Sequence, residues 1–317
     1  MKISKLWARL VKDRFAKIDE LFLSNFREPG KANNRLAVWD PFDGSMRYFK
    51  FLFFHHIQIK DPSFFFNYSK IGLTTLGNPI TIAAPSGEAI NLDHFFSIEE
   101  YTFLNANLDF GKIGHVVEIG AGFGRTAQAL IKLVGNINKY TIVDLPEVLA
   151  LSSSYLEKVL SKDEFAKLDF VNALLLHAEP HDFHPVDLVI NIDSFQEMPK
   201  ETIGYYFEQV INYSSFFYSK NVIGKYRPES IGLYDVNEQQ LLDVFSLGLS
   251  TDVIDIFSAE ELVKARQKHV KQYCPTKQFT VIAQEPLGIF PYFQNVLYQR
   301  YEPRAGDKKT AINKKLI

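Results

Sequence analysis

The sequence predicts an α/β protein with a mostly parallel sheet covered by helices on both faces. From His115 onward, short apolar runs that are typical of strands alternate with stretches of helical periodicity. A glycine-rich turn at residues 120–124 joins the first of these strands to the helix that follows. The 317 residues, 46% of them hydrophobic, are enough for a sizeable core in one large domain or two modest ones.

The elements follow from the period of the apolar residues along the chain. Apolar positions from Ile3 to Phe22 have helical spacing, and the first ~105 residues are rich in phenylalanine, which predicts mainly ring packing in a helical cap. We predict a helical N-terminal cap or lid over residues 1–105, an α/β domain over residues 106–300 and a tail over residues 301–317. Strands are predicted at 116–119, 140–143, 168–171, 186–192, 215–223 and 279–283, and helices at about 125–134, 146–160 and 200–213.

Charge and cysteine content exclude several classes of function. Lys plus Arg number 35 and Asp plus Glu 37, and a net charge of −2 gives no general attraction to nucleic acid or to an anionic membrane. The single cysteine, Cys274, cannot form an intrachain disulfide framework. No stretch approaches the ~20 apolar residues needed to span a bilayer, so we predict a soluble, cytoplasmic protein.

The glycine-rich turn is the strongest local signal. Gly120, Gly122 and Gly124 let the backbone turn tightly and approach a ligand, whose polar part would meet free N–H groups at the helix start. The spacing is G-x-G-x-G, and Arg125 stands where a dinucleotide fingerprint needs its third glycine. No Gly-Lys-Ser/Thr follows, which excludes a P-loop.

Two acidic residues flank this turn. Glu118 is a carboxylate in an otherwise apolar strand, and its burial calls for a partner such as a ligand ammonium or nearby backbone donors. Asp144 ends the next strand, where an acid can accept both hydroxyls of a ribose. The alternatives are that Glu118 only bonds loop amides and that Asp144 caps the helix beginning at Pro146. Together, in this order, the features predict a nucleoside-type cofactor.

The run from Val117 to Gly124 resembles the first motif of class I S-adenosylmethionine-dependent methyltransferases, and Asp144 matches their ribose-binding acid. More narrowly, YTIVDLPEVLAL at 140–151 and DLVINIDSFQEMP at 187–199 resemble a family of sugar O-methyltransferases associated with bacterial surface polysaccharides. The resemblance covers roughly residues 110 to 225.

The resemblance implies a seven-stranded, Rossmann-like sheet with a reversed last hairpin and S-adenosylmethionine over the strand ends. It assigns Gly120, Gly122 and Gly124 to the methionine part, with Glu118 orienting their loop. It assigns Asp144 to the ribose and Leu145 to the adenine. The remaining cofactor positions that it implies are Asn172 and Ala173 near the adenine edge, and Asn191 at the end of the fourth strand.

The segment after the fourth strand is the expected place for the chemistry, because ligands of open α/β sheets bind beyond the carboxyl ends of the strands. Methyl transfer to a sugar hydroxyl needs aligned reactants and help with the departing proton. Glu197 and Asp193 are the two carboxylates there, and either would take the proton; Asp193 would alternatively contact the cofactor ammonium. Gln196 would bond acceptor hydroxyls. The structural alternative is that both acids cap the helix starting near Lys200.

Histidines and cations supply further candidates. His94, in the cap, would reach the acceptor as a general base. His177, His181 and His184 have spacing that suggests a metal, but the last two precede a strand and belong at the opposite sheet edge, so a divalent ion is allowed without being indicated. Arg227, near Lys225, would bind a phosphate on a nucleotide-linked sugar, although such residues are more often solvated surface charges.

The sequence therefore favours an S-adenosylmethionine-dependent O-methyltransferase with a sugar or other small-molecule acceptor. A nicotinamide-dependent oxidoreductase is the first alternative, and Arg125 and Glu118 argue against it. A binding protein that kept the fold without catalysis is the second, and the presence of both Glu118 and Asp144 argues against it. A nucleic-acid substrate is disfavoured by the near-zero charge.

Overall fold

The computed structural model describes residues 2–15, 17–28, 43–72, 75–84, 87–91, 93–179, 181–231, 238–288 and 290–301. A short antiparallel pair, β1 with β2, precedes a central sheet of seven strands in the order β5-β4-β3-β6-β7-β9-β8. The strands are β1 (Thr81–Ala83), β2 (Ala89–Asn91), β3 (His115–Ile119), β4 (Lys139–Asp144), β5 (Leu168–Asn172), β6 (Val186–Ile192), β7 (Ser214–Val222), β8 (Phe279–Pro286) and β9 (Phe293–Arg300).

Strands β3 to β7 run parallel, whereas β9 is antiparallel to both β7 and β8. The seven-stranded sheet with a reversed last hairpin is therefore confirmed. Within the described ranges, no helix is long and apolar enough to cross a bilayer. The helices are α1 (Lys5–Arg14), α2 (Glu20–Asn25), α3 (Asp43–Lys60), α4 (Phe64–Ile71), α5 (His94–Asn107), α6 (Arg125–Leu133), α7 (Pro146–Val159), α8 (Lys162–Phe165), α9 (Lys200–Gln209), α10 (Glu238–Phe245) and α11 (Ala259–Gln272).

Alternating side chains of the parallel strands form two cores, one on each face of the sheet. On one face, Val116 and Ile142 pack with Leu130 of α6 and Leu156 of α7. The other core includes strand residues such as Val117, and side chains of α9 and α11 pack into it. Full burial of such a side chain contributes about 1.5–3 kcal/mol to the stability of the fold, so the two cores fix the register of the strands. In this register the carboxyl ends of the five parallel strands, β3 to β7, lie at one edge of the sheet.

The residues before β3 are mainly helical, as expected. Among the described rings, Phe54, Phe64 and Phe95 pack on one another, with centroids of Phe54 and Phe95 4.9 Å apart. These rings form the core of this region, which agrees with the expectation of aromatic packing. The division into a cap and an α/β domain stays a prediction, and residues 302–317 of the expected tail lie outside the described residues.

The structure differs from the expected elements in three places. The N-terminal helix is broken, because the side chain of Asp19 accepts the Phe22 N–H and starts a second helix. The apolar pattern did not locate strand β9, although the resemblance implied a seventh strand: Gln294 and Asn295 interrupt the pattern although both are buried. The sequence pattern also did not predict helices α10 and α11, whose last turns mix polar and apolar residues.

Candidate functional site

The glycine loop between β3 and α6 is shaped by left-handed backbone. Gly120 has φ of +77° and Gly124 of +92°, and Gly122 also has positive φ. A Cβ on Gly120 would lie 2.2 Å from the Ser194 hydroxyl oxygen, and one on Gly124 would lie 2.7 Å from a Leu156 methyl carbon. The loop is therefore packed against the segment after β6 on one side and against α7 on the other, which only glycine permits.

Glu118 is buried in β3, and its partner is a phenol. The Tyr140 hydroxyl donates to Glu118 Oε2 over 2.7 Å. Burial raises the pKa of Glu118 to about 7, while the Tyr140 bond and the nearby Arg125 act to lower it. A ligand ammonium or loop amides were the expected partners, and Tyr140 of the neighbouring strand β4 occupies that place instead.

Asp144 ties the end of β4 to the glycine loop. Its Oδ2 accepts the Gly122 N–H over 3.1 Å, and its Oδ1 accepts the Leu145 N–H over 2.8 Å. Burial raises the pKa of Asp144 to about 7, and the amide donors counteract this. Helix α7 has Leu145 as its N-cap without a side-chain cap bond, so Asp144 does not cap it. The carboxylate is thus held at the strand end beside the loop.

The turn after β5 lies beside Asp144. The Ala173 N–H donates to the Asp144 carbonyl over 2.9 Å, and Asn172 Oδ1 accepts the Leu174 N–H over 2.9 Å. Ala173 is buried, and Leu145 and Asn172 are half-buried. These three residues, which the resemblance places around the adenine, are therefore neighbours of the proposed ribose acid.

Asn191, at the end of β6, is fully buried, and its side-chain amide bonds to both neighbouring strands. Its Nδ2 donates to the Ile119 carbonyl over 2.9 Å, and its Oδ1 accepts from Asn221 Nδ2 over 2.9 Å. The amide joins β6 to the start of the glycine loop and to the end of β7. Because its amide is engaged on both sides, Asn191 fixes the glycine loop relative to the ends of β6 and β7.

Asp193 has the most unusual geometry in the site. Its φ is +58°, a left-handed conformation that costs a non-glycine residue about 1–3 kcal/mol. Its Oδ1 is buried and has no hydrogen-bond partner among the described residues. Burial raises the pKa of Asp193 to about 6, while Lys220 acts to lower it. A strained residue with an unsatisfied carboxylate oxygen is the kind of group expected to face a ligand.

A buried ionic network lies beside Asp193, and the sequence analysis did not predict it. Arg125 donates to both oxygens of Glu100 over 3.0 Å, and Lys220 Nζ lies 2.5 Å from Glu100 Oε1. The backbone continues the link, because the Asp193 N–H donates to the Lys220 carbonyl over 2.8 Å. A lysine within the predicted strand SSFFYSKNV was an available signal, since charges are rarely buried unless paired.

Glu197 is held by the N-terminal region. Trp7 Nε1 donates to Glu197 Oε2 over 2.8 Å. Gln196 Oε1 accepts the Val222 N–H over 3.0 Å, and its backbone oxygen accepts from the buried Lys225 over 3.2 Å. Burial lowers the pKa of Lys225 to about 8, and Glu197 acts to raise it. The Arg227 side chain is exposed, so it lies at the surface beyond this cluster.

His94 does not reach the strand ends as expected of a general base. It is fully buried, with Nδ1 2.7 Å from Asn91 Nδ2 and Nε2 3.0 Å from Gln128 Oε1. Burial lowers the pKa of His94 to about 3, so the ring is neutral, with Nδ1 accepting and Nε2 donating. Nε2 thus links α5 to α6, and Nδ1 links it to the end of β2. In the described part of the chain, no three His, Cys, Asp or Glu residues are grouped to hold a metal ion.

Comparisons with known proteins bear on the fold. No family model matches the chain, and no curated protein matches it. Solved structures that match include the mitomycin 7-O-methyltransferase MmcR (13% identity, TM-score 0.42, covering 66% of this chain and 56% of that one). The methyltransferase domain of a bacterial Hen1 protein, CtHen1-C, matches with 13% identity, a TM-score of 0.46 and coverage of 67% and 100%. The glycopeptide N-methyltransferase MtfA, complexed with sinefungin, matches with 15% identity, a TM-score of 0.41 and coverage of 65% and 87%.

These identities and TM-scores are low, and the match spans little more than half of the mitomycin enzyme. The strand order carries the assignment independently. Numbered from β3, the sheet has the order 3-2-1-4-5-7-6 with its last strand antiparallel. The chain therefore has the seven-stranded sheet with a reversed last hairpin that its resemblance to class I methyltransferases implies.

Proposed function

We propose that this protein is an S-adenosylmethionine-dependent O-methyltransferase that methylates a sugar hydroxyl in the biosynthesis of a surface polysaccharide. The observation that carries the catalytic part is Asp193: a strained, half-buried residue at the carboxyl end of β6 whose Oδ1 has no partner among the described residues. The sugar acceptor is supported by the resemblance of residues 140–151 and 187–199 to sugar O-methyltransferases.

The residues around the glycine loop fit the cofactor. Gly120 and Gly124 bring the backbone close to the strand ends, and Asp144 places a carboxylate beside them. Leu145, Asn172 and Ala173 would enclose the adenine, while Glu118 supports the loop from within β3. S-adenosylmethionine, when bound, supplies the methyl group from its sulfonium.

We assign the general base to Asp193 in preference to Glu197. A hydroxyl loses its proton as it attacks, and a carboxylate with a pKa of about 6 is ionised and still basic near neutral pH. Glu197 Oε2 already accepts from Trp7, which suits a residue that orients the acceptor. Gln196 would donate to an acceptor hydroxyl through its amide nitrogen, because its oxygen accepts from Val222. Arg227 would meet an acceptor phosphate only at the surface.

The test is calorimetric titration with S-adenosylhomocysteine, with NAD in parallel, followed by transfer of labelled methyl from S-adenosylmethionine to a panel of nucleotide sugars and glycans. Binding of S-adenosylhomocysteine and methylation of a sugar would support the proposal. Asp193→Asn should abolish transfer while leaving affinity for S-adenosylhomocysteine within about twofold, and Asp163→Asn, at an exposed acid in α8, should change neither. NAD binding alone, or transfer only to other acceptors, would contradict it.

A further inference from the structure

An unbroken series of aromatic rings runs from the N-terminal helices to the glycine loop. Neighbouring ring centroids are 5.0–6.5 Å apart, and the last contact before the loop, between Phe26 and Phe123, is edge-on at 5.3 Å. The series is Trp7, Phe15, Phe22, Phe26, Phe123 and Tyr155. Residues 2–15 and 17–28 are called the N-terminal strap below, because these rings hold them across two loops of the site.

The first end of the strap is attached to the segment after β6. Trp7 Nε1 donates to the Glu197 carboxylate over 2.8 Å, and the Thr202 hydroxyl donates to the Lys2 carbonyl over 2.9 Å. Hydrogen bonds to a carboxylate are stronger than neutral ones, and this one is partly shielded from solvent. Glu197 is thus oriented by a residue 190 positions away in the chain.

The other end of the strap is attached to the glycine loop. Phe26 packs on Phe123, and the guanidinium of the fully buried Arg27 lies 5.0 Å from the centre of the same ring. Arg27 Nε also donates to the Leu76 carbonyl over 2.9 Å. The strap therefore contacts both loops at adjacent strand ends, those following β3 and β6.

The remaining polar attachments of the strap are buried at its Arg27 end and exposed elsewhere. Arg27 Nη1 lies 3.6 Å from Oδ2 of the buried Asp93, and the Arg27 N–H donates to the Gly77 carbonyl over 2.8 Å. Lys5 pairs with Asp243 at 3.4 Å and Glu20 with Lys158 at 2.9 Å, and three of these four side chains are more than a third exposed. Exposed pairs of this kind contribute little to stability. At the α1 end, the hydrogen bonds with Glu197 and Thr202 are thus the polar attachments that hold the strap on the segment after β6.

We propose that Trp7 is a positioning residue that fixes Glu197, and that the α1 end of the N-terminal strap must release from the segment after β6 before the cofactor product leaves. This inference rests on the proposed function, because both attachment points belong to the proposed cofactor and acceptor sites. It predicts that the rate of cofactor exchange, rather than the fold, depends on the indole N–H of Trp7.

The experiment compares Trp7→Phe, which keeps a ring against Phe15 and removes the donor, with Lys5→Ala, which removes an exposed ion pair from the same helix. In the protein without ligand, amide hydrogen exchange in α1 should be about tenfold faster in Trp7→Phe and unchanged in Lys5→Ala. Equal exchange in both variants would overturn the positioning role.

The second measurement is the dissociation rate of S-adenosylhomocysteine by stopped flow. Trp7→Phe and Glu197→Ala should each accelerate dissociation about tenfold, and the double variant should be no faster than either, because both remove the same contact. Additive effects, or dissociation unchanged in Trp7→Phe, would overturn the strap. If the wild type does not bind the compound, the proposed function fails, and the exchange experiment still decides the role of Trp7.

Discussion

Gly120 provides the most direct test of how the glycine loop is built. In Gly120→Ala the new Cβ would lie 2.2 Å from Ser194 Oγ, and the residue would have to keep φ of +77°. The left-handed conformation costs about 1–2 kcal/mol. Moving Ser194 loses its bonds with Asn191 and with the Ile119 carbonyl, about 0.5–1.5 kcal/mol each. The expected destabilisation is about 2–5 kcal/mol.

Urea unfolding measures this loss, with an unchanged m-value showing that the folded and unfolded states keep their compactness. The matched control is Gly204→Ala in the middle of α9, where a Cβ meets no atom within 4 Å. That substitution should stabilise the protein by about 0.5–1 kcal/mol, because alanine favours the helix. Adding Ser194→Gly to Gly120→Ala should cost less than the sum of the two single effects. Gly120→Ala with wild-type stability would refute this account of the loop.

Three further predictions concern charges at the site. Asp144→Ala should weaken S-adenosylhomocysteine binding by about 1–3 kcal/mol in calorimetry, through loss of charge-assisted hydrogen bonds. An unchanged affinity would show that Asp144 does not bind the ribose. With Asp193 as base, kcat/KM should fall as the pH drops through about 6, and Lys220→Met should move this acidic limb to higher pH because Lys220 lowers the Asp193 pKa. An acidic limb that stays in place would exclude the coupling. The control is Lys132→Met, because Lys132 pairs with Glu164 outside the site. Glu100→Gln should destabilise the protein by about 3–5 kcal/mol in urea unfolding, since it leaves Arg125 and Lys220 buried without their carboxylate, and a loss below 1 kcal/mol would contradict the burial of this network.

What the sequence could predict depended on how far apart the interacting residues lie in the chain. The glycine loop and Asp144 follow from local spacing, because a strand, a turn and a helix are consecutive segments. Glu100 and Lys220, or Trp7 and Glu197, are separated by 120 and 190 residues, and no local pattern joins them. The expected role of His94 shows the same limit, because its burial against Gln128 depends on how α5 packs on α6.

Arg125, which departs from the dinucleotide-binding motif, has a structural role in this fold. In a dinucleotide fingerprint a glycine at this place lets helix and strand pack closely. Here the side chain instead binds Glu100 of α5, which fastens the first turn of α6 to the N-terminal helices.

The network formed by Arg125, Glu100 and Lys220 has one carboxylate between two cations, so it carries a surplus positive charge when all three are ionised. Asp193 is a neighbouring acid whose ionised form offsets that charge, and Lys220 and Arg125 act to lower its pKa while burial raises it to about 6. Arg125, which stands in the place of the fingerprint glycine, thus favours an ionised carboxylate at the end of β6.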